Sequence, residues 1–139
     1  MNTGSIRNPG LAAMLLAGLL VTGCGGGGPS AEMELGGINT GEVLKGLLDR
    51  TARTLAGVQD MASARAAAPQ LAAINDDFDD LIYHVPNLSA EGRTEMARMA
   101  ARSLPEIQGA AARINGMRGL DEILGPAMDE MVDKLTQLL

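Results

Sequence analysis

Residues 39–58, NTGEVLKGLLDRTARTLAGV, decide the fold. Asn39-Thr-Gly-Glu42 has the spacing of a helix-start capping box, with a side-chain acceptor first and a glutamate three residues later. Val43, Leu44, Leu47, Leu48, Thr51, Leu55 and Val58 then recur at steps of three and four. That period places them on one face of a helix, and the spacing predicts one over about 40–58.

The same period continues downstream. Asp60 or Ser63 can cap a second helix with apolar face Ala64, Ala67, Ala68, Leu71, Ile74, Phe78, Leu81 and Ile82. It should stop near His84, because Pro86 biases Val85 away from helical angles. Ser89 suits the cap of a third helix, with Glu91 and Glu95 in its early turns, where the helix dipole favours acids. Its face is Met96, Met99, Ala100, Leu104, Ile107, Ala111, Ile114 and Met117, and Gly116 and Gly119 end it. A fourth helix is expected from about Leu120 to Leu138, through Ile123, Leu124, Ala127, Met128, Met131 and Leu135.

Amphipathic helices with short connections bury their stripes most simply against one another. The expected fold is therefore all-α, a small antiparallel helical bundle of about four helices over residues 39–139. Pro69, Pro105 and Pro126 fall inside three of them, and each lacks a backbone donor. Kinks or breaks are expected there, which would divide the bundle into five or six segments. Pro69, Leu71, Phe78 and Leu81 match Pro105, Ile107, Ile114 and Met117 at an offset of 36 residues, as two proline-bearing helices of like design would. One Tyr, one Phe and no Trp argue against a β-rich fold and an aromatic binding surface.

Upstream, the pattern is different. Arg7 is the only charged side chain before Glu32, and an 11-residue apolar run follows from Leu11 to Val21. A membrane-spanning helix needs roughly 20 residues, so the run fits the apolar region of a secretory signal peptide over 1–23. Val21-Thr22-Gly23-Cys24 closes it. That order of basic flank, apolar run, aliphatic residue, two small residues and cysteine resembles the lipobox of bacterial lipoproteins. The resemblance implies diacylglyceryl transfer to the Cys24 thiol, cleavage before Cys24 and acylation, such as with palmitate, of the new amine. Gly25, where an aspartate favours inner-membrane retention, implies an outer-membrane destination facing the periplasm. Several acyl chains give stable attachment where one is marginal, each buried methylene contributing about 0.8 kcal/mol.

Residues 24–38 begin with the acylated cysteine and four consecutive glycines, and they read as a flexible tether. The thirteen residues from Gly25 to Gly37 would span roughly 20 Å as a coil. Without Arg7, ten basic side chains face seventeen acidic ones, a net charge of −7. That balance disfavours nucleic acid, which requires a basic footprint, and opposes adsorption to anionic headgroups.

Chemistry-bearing constellations are few. Asn75-Asp-Asp-Phe-Asp-Asp80 puts Asp77, Asp80 and His84 on one helical face, a candidate site for a divalent cation such as Ca²⁺ or Mg²⁺. The segment lacks the glycine and terminal glutamate of an EF-hand loop. The competing reading is a solvated acidic face beside a buried Phe78, offset by Arg93, Arg98 and Arg102 on the next helix. Met96/Met99 and Met128/Met131 have thioethers that suit Cu(I), yet all four fall on apolar stripes and read as core. One Cys excludes an intrachain disulfide, one His excludes multi-histidine metal chemistry, and no serine lies in a Gly-x-Ser-x-Gly setting.

The expected protein is thus not an enzyme and needs no cofactor. It is a lipid-anchored envelope module with a structural or protein-interaction role. The alternative is an envelope binding protein for a lipid, another apolar ligand or a divalent cation. A partner surface should gather the apolar residues left off the stripes, chiefly Leu48, Met61, Val132 and Leu139.

Overall fold

The computed structural model describes residues 34–35 and 38–139. Each of the first three helices starts where a short polar side chain can take the free amides of its first turn. Asn39 caps α1, Thr40–Ala56, its Oδ1 accepting from the amides of Gly41 at 3.0 Å and Glu42 at 3.2 Å. The reciprocal bond from Glu42 does not form, so only half of the expected box is present. Asp60 and Ser63 act together at α2, Met61–His84: Ser63 N donates to Asp60 Oδ1 at 2.8 Å and Asp60 N donates to Ser63 Oγ at 2.9 Å. Ser89 caps α3, Ala90–Asn115, accepting from Gly92 N at 3.0 Å. Helix α4, Asp121–Gln137, has no side-chain cap and follows Gly119, whose φ of +81° is left-handed backbone natural to glycine.

Pro86 ends α2 as expected, and Val85–Asn87 form a single 3-10 turn leading into α3. The interior prolines do not interrupt their helices, which corrects the expectation of five or six segments. Pro69, Pro105 and Pro126 are all exposed, as are Arg65, Ala101 and Glu122 four residues before them. The carbonyl left without an amide partner in each case belongs to a residue on the solvent side, where water can take that hydrogen bond.

The architecture is an all-α bundle of four helices. The principal contacts join α1 to α2, α3 to α4, α1 to α3 and α2 to α4. Two helical hairpins therefore lie side by side, and the 3-10 turn carries the chain across the bundle from α2 to α3. Arg113, near the end of α3, fixes the register of the two hairpins. Its Nη2 donates to Leu55 O at 2.8 Å and its Nη1 to Val58 O at 2.9 Å. Leu55 O in the last turn of α1 and Val58 O just beyond it thereby gain a charged donor from the other hairpin. Arg113→Ala is expected to lower stability by about 2 kcal/mol, the scale of charge-assisted hydrogen bonds, as read from urea unfolding.

Between the hairpins lies a core of aliphatic and methionine side chains. Leu44, Leu55, Leu71, Ile74, Phe78, Met96, Ile114, Leu124, Met128, Met131 and Leu135 are fully buried. Met96, Met128 and Met131 are thus core residues, with Met99 packed at the edge. Leu48 is buried, as its place on the α1 stripe predicts, and Val132 packs against the core, so neither supplies the partner surface expected above. Val43, placed on the buried stripe, is exposed instead, while Met61 and Leu139 are exposed as expected.

Before α1, β1 (Glu34–Leu35) pairs antiparallel with β2 (Ile38–Asn39), matching Leu35 to Ile38 and Glu34 to Asn39. Leu35 packs against the core. This small ladder lies within the stretch read above as tether, so the folded body begins earlier than residue 39. Two-residue strands separated by Gly36-Gly37 give no sequence alternation to read. Cys24 and the proposed signal peptide lie outside the described residues.

Candidate functional site

A groove of about 470 Å³ runs between the first half of α1 and the last half of α2. Val43, Gly46, Leu47 and Leu81 contribute its apolar part, and Ile38 of β2 closes one end. Glu42, Arg50, Asp77, Asp80 and His84 contribute the polar part. The α-helical period explains the gathering: 77, 80, 81 and 84 share one face of α2, and 42, 43, 46, 47 and 50 share one face of α1. Ile38 is 61% exposed and Val43 39% exposed, both unusual for large apolar side chains. Gly46 leaves the middle open, since a Cβ built there meets nothing within 4 Å.

All three residues of the expected cation site line this groove, but they do not form a ligand set. Among the described residues, no group of three His, Cys, Asp or Glu side chains is placed to hold a metal ion. Asp77 is engaged by Arg50, whose Nη1 donates to its Oδ2 at 2.7 Å. Both side chains are nearly half exposed, so the pair orients the groove wall more than it stabilises the fold. Glu42 and Asp80 have no ion-pair partner among the described residues. The His84 ring lies edge-on to Tyr83, with centroids 5.3 Å apart.

The arginines expected to offset the acidic cluster are elsewhere. Arg93 donates to Leu88 O, Arg98 pairs with Glu95 on its own helix, and Arg102 makes no ion pair among the described residues. The reason is topological: α2 packs on α1 and α4 rather than along α3. Its counter-charges are accordingly Arg50 of α1 and Lys134 of α4. Lys134 is only 6% exposed, and its Nζ donates to Glu130 at 2.7 Å, Asn75 O at 2.8 Å and Asp79 at 2.9 Å. All three ammonium protons are used. Asn75, also buried, donates its Nδ2 to Ala127 O at 3.0 Å, and its Oδ1 has no partner among the described residues.

Burial is the largest influence on the Lys134 ammonium and pulls its pKa down, but the bonds and charges of Glu130 and Asp79 outweigh it. The net displacement is upward from 10.5. Asp60 is displaced downward from 3.8, chiefly by the Ser63 amide and then by the Ser63 hydroxyl. The linkage signs follow. Lys134 contributes stability that is complete below pH 10.5 and lost as pH rises through its higher folded value. Asp60 contributes stability that is complete above pH 3.8 and lost as pH falls through its lower folded value. Urea midpoints measured against pH should show both losses. Lys134→Met should remove the alkaline one and lower the plateau by about 2 kcal/mol, because Asn75 O loses its charged donor.

Beyond Arg50, a second groove of about 540 Å³ is lined by Arg53, Thr54, Pro69, Gln70, Ala73 and Ile74. It lacks both the exposed large apolar residues and the carboxylates of the first. Comparison with known proteins found no matching family model, no similar curated protein and no similar solved structure.

Proposed function

We propose that this chain is a lipid-anchored protein of the bacterial envelope whose bundle acts as a non-enzymatic protein-interaction module. The anchor rests on Val21-Thr22-Gly23-Cys24 behind its apolar run, and Gly25 favours the outer membrane. No helix of the described residues is long and apolar enough to cross a membrane.

The interaction role rests on one observation: Ile38 and Val43 stand exposed beside an open groove bordered by Glu42 and Asp80, which have no ion-pair partner among the described residues. Large apolar side chains held at a concave surface favour a partner that covers them. The groove carries no serine or cysteine among its described lining residues, and its single imidazole has Asp77 already committed to Arg50.

Site-directed photo-crosslinking in intact cells tests the role. A crosslinker at Val43 should give discrete protein adducts, and one at exposed Gln108 on α3 should give none. Absence of adducts from Val43 would contradict the proposal.

A further inference from the structure

We propose that the groove between α1 and α2 receives a basic amphipathic segment of a protein partner, an inference that rests on the interaction role proposed above. The lining is divided in a way that selects such an occupant. Val43, Leu47, Leu81 and Ile38 supply apolar surface. Glu42 and Asp80 lie on opposite helices at its border, and neither has a cation among the described residues. A leucine-sized side chain set over Gly46 would bring flanking lysines or arginines to those two carboxylates. Spacing of three or four residues along a helical segment places apolar and basic groups in that relation.

An acidic occupant is opposed. Arg50, the cation of the lining, is already bonded to Asp77 at 2.7 Å. The charge of the folded body adds a field of the same sign, since α2 and α4 carry Asp76, Asp129 and Asp133 beyond the groove, none with an ion-pair partner among the described residues. Such a field raises the encounter rate with a basic partner and lowers it with an anionic membrane surface. The absent side chain at Gly46 supplies the depth, because any larger residue there would project into the open space.

The test uses the full protein in zwitterionic nanodiscs, with empty nanodiscs as reference. The probe is a fluorescent peptide of leucine and lysine at helical spacing, read by anisotropy, beside its leucine–glutamate counterpart. The lysine peptide should bind and the glutamate peptide should not. Glu42→Gln with Asp80→Asn should weaken binding roughly tenfold at low salt, an effect that shrinks as salt rises. Gly46→Leu should abolish binding while leaving the fold intact, because leucine is the better helix former and its Cβ meets no neighbour.

Equal binding by parent and variants would mean diffuse attraction to an acidic surface and would overturn the proposal. So would failure of the lysine peptide to bind, or a dimer of the parent that Gly46→Leu dissolves, since a second copy would then be the occupant. If Val43 still yields cellular crosslinks while the lysine peptide does not bind, the interaction role stands and only the basic character of the partner is lost.

Discussion

Phe78→Ala is expected to destabilise the bundle by about 3–4 kcal/mol, a large part of the stability of a domain this size. Phe78 is the chain's only phenylalanine and the largest fully buried side chain among the described residues. Its removal loses the transfer energy of the ring and leaves a void. The rest of the core is built of aliphatic and methionine side chains. Phe78→Leu keeps most of the volume and should cost less than half as much. Urea unfolding followed by circular dichroism measures both. Equal, small losses for the two variants would show that the site is not packed as described.

Cys24→Ala is expected to abolish membrane attachment. The thiol is the acceptor of the diacylglyceryl group in the proposed anchor, and alanine offers no nucleophile. What remains for membrane affinity is the Leu11–Val21 run of 11 residues, about half of a spanning helix. Fractionation should move the protein from the membrane pellet to the soluble fraction, and the acyl mass should disappear. An unchanged distribution with no acyl mass on the parent would remove the anchor.

Fold and site differed in how legible they were in the sequence. Leu44, Leu47, Leu48, Thr51 and Leu55 announce α1 by period alone, and Asp60, Ser63 and Ser89 announce helix starts because capping is local chemistry. The course of the helices through Pro69, Pro105 and Pro126 was not legible from proline itself. It depends on the solvent side those residues occupy, which the apolar stripes could have shown: none of the three lies on one. The same stripes held two unread polar residues. Asn75 sits one position after Ile74 and three before Phe78, and Lys134 sits three after Met131. Both therefore face inward, and Glu130 four residues before Lys134 was the local clue to its partner.

The groove was half legible. Its α2 wall, Asp77, Asp80 and His84, follows from helical spacing. Its α1 wall does not, because which helix lies against α2 is decided by the packing of the two hairpins. Val43 illustrates the limit: its spacing fits the buried stripe, yet it lies at the edge of the face, where α1 and α2 part. Arg50 likewise reaches Asp77 across 27 positions of sequence, a pairing that no local pattern encodes. Ile38 belongs to a two-residue ladder too short to show an alternation.

The lipid anchor is the central claim, and intact mass spectrometry of the protein extracted from bacterial membranes in mild detergent tests it most directly. The expected result is a chain beginning at Cys24 whose first residue carries a diacylglyceryl thioether, with or without a further acyl group on its amine. A chain that retains residues 1–23 and bears an unmodified Cys24 thiol would contradict it.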